Sequence, residues 1–239
     1  MKIGILGNKG RMGQTLMAMA ANTAGVELVG GVDKGDNVEA FIAKCDAVID
    51  FTLPEASIQF AWDVAKHHKI HVIGTTGFTN AQIAKLEEYS KEATIFWSPN
   101  MSIGVNVTSM LAQKAAELLD ESYDIEIVEM HHRYKKDSPS GTALLLGESV
   151  AKGRKTKFIR DIEHNRSGER VRGDIGYAVL RGGNVIGDHT VLFAGDMDRV
   201  EITHKAQSRE IFASGAIKAA IWCKEKPHGF YSMKDMLKF

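Results

Sequence analysis

Short apolar runs alternate with helix-length amphipathic stretches through the first hundred residues. Residues 3–6 are followed by a helical pattern over 14–21, 26–32 by 38–44, and 47–51 by 54–68. Residues 70–73 then precede a helix near 81–90, and a fifth run occupies 94–97. Apolar runs separated by single helices pair in parallel, with right-handed crossovers that cover both faces of the sheet. This half predicts an α/β fold with a Rossmann-like, doubly wound parallel sheet.

Beyond Asn100 the pattern changes. A long helix is expected over 104–119, and then 123–130 alternates, with Ile125 and Ile127 on one side and Asp124, Glu126 and Glu129 mostly on the other. A short helix over 142–151 leads into a Gly-, Arg- and Lys-rich stretch to residue 173 with little periodicity. Runs at 176–180, 185–194 and 199–206 follow without intervening helices. In the last, Val200, Ile202 and Ala206 face one way and Arg199, Glu201, Thr203 and Lys205 the other, a half-buried pattern. These runs predict a second, α+β domain on an open, mixed or largely antiparallel sheet. A helix near 208–223 and a tail over 231–239 close the chain. With no repeat and no Pro- or Ser-rich linker, the two lobes are expected to meet closely, with the chemistry in a cleft between them.

The length of 239 residues allows one large or two intimate domains at about 150 residues each. Lys plus Arg and Asp plus Glu number 30 each, and this neutrality argues against a nucleic-acid or anionic-membrane partner, which needs a cationic excess. Any anion bound must meet a local cluster. Cys45 and Cys223 lie far apart, without CxxC or zinc spacing, and are expected as buried thiols in a reducing compartment. The opening MKIGILG is too short for a signal peptide, and no run approaches the roughly 18 apolar residues of a membrane span. A cytoplasmic protein is expected.

Two segments carry chemistry. Gly7, Asn8, Lys9, Gly10, Arg11, Met12 and Gly13 leave the first strand and open the first helix, where small residues let the backbone approach a pyrophosphate held on free N–H groups. Asp33, closing the second run, is placed to accept ribose hydroxyls. The bare spacing also fits a plain turn with a solvated aspartate, but its strand–loop–helix context favours a nicotinamide nucleotide. Asp33 suits a free 2′-hydroxyl while Lys34 and Arg11 suit a 2′-phosphate, so use of both NADH and NADPH is expected. Gly74, Thr75 and Thr76 close the fourth run, and Ser98, Pro99, Asn100 and Met101 the fifth. Each group reads as either a strand-to-helix turn or a contact with the nicotinamide end.

The second segment spans 129–143. His131 and His132, adjacent on a strand, point to opposite faces unless the chain turns between them; Lys135 follows, and Ser140 or Thr142 can cap a helix whose first N–H groups, at Ser140, Gly141 and Thr142, are expected to bind a substrate carboxylate with Lys135 and His132. Alone, the histidine pair reads as structural; beside Lys135 and a helix start it reads as a site for a small acid. The remaining histidines carry a blander reading. His67, His68 and His71 fall at a helix end, and His189 and His204 lie on strands with no third ligand in register, so no metal is expected. The basic run over 152–157 reads as a solvated loop.

GNKGRMG, GTTG at 74–77, SPNMSIGVN at 98–106, EMHHRYKKDSPSGTA at 129–143, LRGGNVIGDHTV and EITHKAQSREIFASGA together resemble the 4-hydroxy-tetrahydrodipicolinate (dihydrodipicolinate) reductase family. The resemblance implies an enzyme of lysine and diaminopimelate biosynthesis that reduces a cyclic dicarboxylate with loss of water. It implies that His131 is a proton donor or acceptor and Lys135 the proton donor, and that His132, Gly141 and Thr142 bind substrate. Residues 7–12, Asp33, Lys34, 74–76 and 98–101 would line the nucleotide. The final helix would return to the first lobe, giving a dinucleotide domain over 1–102 plus 209–239 and a substrate-binding and oligomerisation domain over 103–208. Homotetramers built through the second sheet are implied too. Lys9 and Lys136 depart from the family pattern. Another two-domain NAD(P)-dependent amino-acid dehydrogenase, or a non-catalytic NAD(P)H sensor, remains the alternative.

Overall fold

The computed structural model describes residues 1–158, 165 and 167–238. It divides into two compact units, one of residues 1–103 with 210–239 and one of residues 104–209. The first part of unit one runs β1 (Lys2–Leu6), α1 (Arg11–Ala21), β2 (Glu27–Val32), α2 (Val38–Ile42), β3 (Ala47–Asp50), α3 (Pro54–Lys66), β4 (Ile70–Ile73), α4 (Asn80–Tyr89) and β5 (Thr94–Trp97). Unit two follows with α5 (Ile103–Leu118), β6 (Asp124–His131), α6 (Gly141–Arg154), β7 (Ile175–Arg181), β8 (Gly187–Ala194) and β9 (Arg199–Ala206). The chain then returns to unit one through α7 (Glu210–Cys223), β10 (Gly229–Tyr231) and α8 (Met233–Leu237).

The strands of unit one form a parallel sheet in the order β10-β5-β4-β3-β1-β2. Local chemistry sets the helix starts: Pro54 opens α3, where its missing N–H costs nothing, and Thr79 and Gln82 make a reciprocal capping box on α4. Alternate residues of each strand feed opposite layers, as a sheet covered on both faces requires. Ile3, Ile5, Ile49, Val72 and Phe96 pack with α1 and α7, while Leu6, Val48, Ile73 and Ile95 pack with Leu86 and Val64. Small residues let α7 lie close to its neighbours, since a Cβ on Gly215 would sit 1.7 Å from the Met101 carbonyl oxygen.

Unit two is a mixed sheet in the order β7-β6-β8-β9, with β6 and β7 parallel and the other pairs antiparallel. Ala112 and Ala116 of α5 and Ala143, Leu146 and Val150 of α6 pack on Ile125, Ile127, Tyr177, Val191 and Phe193, filling one face. Val128, Met130, Leu180 and Leu192 belong to the other face by alternation and register.

The structure corrects several sequence expectations. Glu129 does not sit opposite Ile125 and Ile127: burial along β6 falls on Ile125, Ile127, Glu129 and His131 alike, because these positions share one face at the strand's period of two. His71 is no helix-end residue, since it lies within β4, fully buried. The basic run at 152–157 is not all loop. Lys152 and Arg154 form the last turn of α6, where cations complement the helix dipole, before Lys155 ends it in the left-handed conformation. Gly153 permits that extra turn, because a Cβ there would lie 2.3 Å from the Gln113 carbonyl oxygen of α5. The weakly periodic stretch over 152–173 includes 159–164 and 166, which lie outside the described residues. Finally, the segment leading into the expected tail forms the sixth parallel strand, β10, docked on β5 with Phe230 opposite Ile95.

Candidate active site

In unit one the glycine loop is built on close backbone contact. Gly7 adopts a φ of 77°, and a Cβ on Gly13 would lie 2.1 Å from the Gly7 carbonyl oxygen, so the loop folds back on the first turn of α1 only without side chains there. Gly10 precedes α1 with no capping side chain, and the first turn holds no acidic residue, so the positive end of that helix is left for an external anion. Asn8 Oδ1 is buried there without a partner. Asp33 follows β2 and accepts amide hydrogens from Lys34 (2.8 Å) and Lys9 (3.0 Å). The Lys34 amide, then the Lys9 amide, hold its carboxyl below the ordinary range.

The other predicted nucleotide residues gather at the carboxyl ends of β4 and β5 and differ in what they present. A Cβ on Gly74 would strike the Phe51 ring at 2.3 Å. Thr75 is buried and turned inward, its hydroxyl taking a hydrogen bond from Ser57 (3.0 Å) and giving one to Asp50 (3.4 Å), whereas Thr76 is exposed. Ser98 donates to the Asn100 carbonyl (2.8 Å), and Met101 is buried in the core beneath α7.

Behind this loop lies a pair that the sequence reading missed. Asp50 and His71 are both fully buried, with Oδ2 and Nε2 3.4 Å apart, and Asp50 also accepts from the Thr52 amide and hydroxyl. Burial works to raise the Asp50 pKa, but His71, Ser57 and Thr52 outweigh it and hold the carboxyl low. An aspartate ending one apolar strand and a histidine inside the next are the signal that was available.

In unit two, β6 places Glu129 and His131 on its buried face. His131 Nδ1 meets Glu129 Oε2, while Glu129 Oε1 accepts from Arg181 Nη2 of β7 (2.9 Å) and from the Ser140 amide (3.0 Å). Burial opposes the charge on Glu129, yet His131, Arg181 and the Ser140 amide together pull its pKa down to about 2. Ser140 uses its hydroxyl to cap α6 at the Ala143 amide (3.1 Å) and to meet His189 Nε2 (3.1 Å). Gly141 and Thr142 form the first turn above it. Burial, then His131, push the pKa of His189 down to about 3, so it stays a neutral ring.

His132 lies just past the strand, and the chain turns there, with the Lys135 amide donating to its carbonyl (3.1 Å). Lys135 Nζ pairs with Asp137 (2.9 Å). Arg209, another residue absent from the sequence reading, brings Nη2 to 3.3 Å from His132 Nε2. Desolvation, then Arg209 and the neighbouring His131, lower the His132 pKa. Lys136 joins none of these contacts.

His189 does have partners in register, contrary to the sequence reading: Glu129 stands opposite it across β6 and β8, and donor atoms of Glu129, His131 and His189 lie within 4.8 Å of one another. Cross-strand register cannot be read from one strand's pattern. On Glu129, Oε1 receives the Arg181 guanidinium and Oε2 faces His131 Nδ1.

A glycine-loop sheet with an open helix N-terminus, joined in one chain to a second unit bearing imidazole, ammonium and guanidinium groups, defines a two-unit Rossmann-like oxidoreductase. Comparison with known proteins makes this specific. Residues 1–101 match the family model described as dihydrodipicolinate reductase, N-terminus, and residues 104–237 the one described as dihydrodipicolinate reductase, C-terminus. The 4-hydroxy-tetrahydrodipicolinate reductase of Rhodopseudomonas palustris strain BisB18 is 43% identical, over 99% of this chain and 97% of its own length. That of Brucella abortus strain 2308 is 45% identical, over 98% and 97%. Among solved structures, the dipicolinate-bound dihydrodipicolinate reductase from Paenisporosarcina sp. TG-14 superposes with a TM-score of 0.80 at 25% identity, covering 99% of this chain and 98% of that one. The chain belongs to the dihydrodipicolinate reductase family, as its motifs led one to expect, and is a reductase of lysine and diaminopimelate biosynthesis.

Proposed function

We propose that this chain uses NADH or NADPH to reduce 4-hydroxy-tetrahydrodipicolinate to tetrahydrodipicolinate: one hydride and one proton enter, and the 4-hydroxyl leaves as water. The observation that carries the reading is that His131, His132, Lys135 and Arg209 lie within electrostatic reach of one another, while Ser140, the cap of α6, bonds to the Glu129 that faces His131, a set suited to a small dianion and to proton delivery. An amide-donating helix end gives a carboxylate roughly 0.3–1 kcal/mol, and full cations add to it.

The residues of unit one fit a dinucleotide. The glycine loop of Gly7, Asn8, Lys9, Gly10, Arg11, Met12 and Gly13 leaves space and donors for a pyrophosphate, and Asp33 is an anion ready to accept ribose hydroxyls, with Lys34 beside it. Gly74, Thr75, Thr76, Ser98, Pro99, Asn100 and Met101 would shape the nicotinamide end. A bound reduced nicotinamide supplies the hydride. In unit two, Lys135 Nζ and His131 are the two proton carriers, while His132, Arg209 and the Gly141 and Thr142 amides hold the carboxylates. Ser140, its polar atoms engaged below, supports those amides. A positioned acid of this kind is worth about 10² to 10⁴ in rate.

The test is nucleotide oxidation followed by absorbance, with the cyclic dicarboxylate generated in situ. Oxidation that depends on that substrate is expected. Nucleotide binding without turnover would instead make the chain a sensor, and turnover only with an oxo acid and ammonia would make it an amino-acid dehydrogenase.

We place the assembly as a homotetramer formed through the second sheet. The apolar Val128, Met130, Leu180 and Leu192 on the face away from α5 and α6 support this, and a monomer in light scattering would refute it. The free, buried Cys45 and Cys223 support a cytoplasmic location, which fractionation of the source cells would test. No helix among the described residues is long and apolar enough to cross a membrane.

A further inference from the structure

We propose that Glu129 and Arg181 form a buried positioning pair that locks the His131 imidazole with its proton on Nδ1, leaving Nε2 to exchange protons, and couples that ring to the loop carrying Lys135. The proposal rests on the reading of His131 as a proton carrier.

The Glu129 side chain has no solvent exposure, and its two oxygens receive three donors: His131 Nδ1 on Oε2, and Arg181 Nη2 and the Ser140 amide on Oε1. A carboxylate with a guanidinium on one oxygen is ionised and only accepts, so the imidazole nitrogen facing its other oxygen carries hydrogen. With Nδ1 committed, Nε2 is the ring nitrogen left for proton exchange. The ring is also braced from its other sides. A Cβ on Gly187 would lie 2.9 Å from Nε2, and the His189 ring crosses that of His131 at 5.0 Å between centroids, 74° between planes.

Arg181 extends the constraint. Besides Glu129, its guanidinium donates to the carbonyls of Asp137 (2.7 Å) and Leu180 (2.7 Å), and Asp137 holds Lys135 Nζ at 2.9 Å. One side chain from β7 therefore ties the carboxylate behind His131 to the turn that presents Lys135. The depressed ionisation of Glu129 agrees with a permanent anion at this position.

The charged and titratable groups facing His131 are Glu129 on its own strand, Arg181 on β7, the neutral His189 on β8, and His132, Lys135 and Asp137 on the loop. Replacing the anion by an amide leaves Arg181 and Lys135 unopposed near the ring. The Nδ1–H then loses the anionic acceptor that fixes the ring's tautomer and orientation.

Four measurements on the full-length protein decide the matter. Nitrogen-15 NMR of the His131 ring in the wild type is expected to show the Nδ1–H tautomer when neutral; a predominant Nε2–H form overturns the proposal and needs no variant to fold. Glu129→Gln is expected to lower kcat by about tenfold or more, with unchanged nucleotide affinity and a loss of the Nδ1–H preference in the same NMR experiment, and Glu129→Asp to restore part of it. Arg181→Met is expected to impair kcat in the same way, since it frees both Glu129 and the Asp137 turn. His131→Asn separates the two levels of argument. If it keeps wild-type turnover, the reading of His131 falls and the proposal with it; if it is inactive while Glu129→Gln has wild-type turnover and an unchanged His131 tautomer, only the positioning pair falls.

Discussion

Replacing Glu129 by Gln is expected to destabilise unit two by an amount that disappears in acid. The Glu129 pKa falls from an ordinary 4.5 to about 2 on folding. At about 1.36 kcal/mol per pKa unit, that is roughly 3 kcal/mol of stability near neutral pH. Breaking a buried charge pair by removing one partner typically costs about 3–5 kcal/mol, which agrees. Because the folded pKa is the lower one, the stabilisation is complete above the unfolded value and is lost as pH falls toward the folded value. Gln resembles the protonated carboxyl, so the gap between wild type and Glu129→Gln is expected to shrink from about 3 kcal/mol at pH 7 to between about 1 and 2 at pH 3 and below about 0.5 at pH 2. The probe matters, since Trp62, Trp97 and Trp222 all belong to unit one. Hydrogen exchange of the β6 amides, followed through denaturant titrations, reports the right unit. A gap that stays constant from pH 7 to pH 2, or that is below about 1 kcal/mol at pH 7, would refute the reasoning.

Lys135→Ala is expected to lower kcat by at least about tenfold while nucleotide affinity survives, and unchanged turnover would remove Lys135 from proton delivery. Gly13→Ala puts a methyl 2.1 Å from the Gly7 carbonyl oxygen, so the loop must shift; nucleotide Kd, measured by fluorescence titration, is expected to rise by about tenfold or more, with unit two unaffected. Wild-type kcat/KM values for NADH and NADPH are expected to lie within about a thousandfold of each other, and Asp33→Ala to shift the ratio toward NADPH by removing an anion from the 2′ position. An unmoved ratio in that variant would show that Asp33 does not face the ribose.

The architecture was largely legible before any coordinates. Alternation of apolar runs with helical patterns identified a doubly wound sheet, and the loss of intervening helices after residue 174 identified a mixed one. The turn of the glycine loop into α1 and the helix start after Pro139 were legible too, because each is a contiguous segment whose shape depends on local turn and helix-end residues. What escaped depended on packing. β10 is three residues long, too short to show a period, and exists because Gly229 donates to Ala93 and Phe230 meets Ile95. Gly153 looks like a helix breaker until Gln113 of α5 comes close enough to require it.

Local periodicity and turn chemistry, which operate within a few residues, let the sequence by itself determine the order of most elements, the glycine loop and, through its motifs, the family. The tertiary structure alone decided which distant polar residues come together. Asp50 meets His71 because β3 and β4 lie side by side, and Glu129 meets His189 and Arg181 because β6 is paired with β8 on one side and β7 on the other. Those pairings follow from register, and register is set by the summed packing of whole strands, which no single strand's pattern contains.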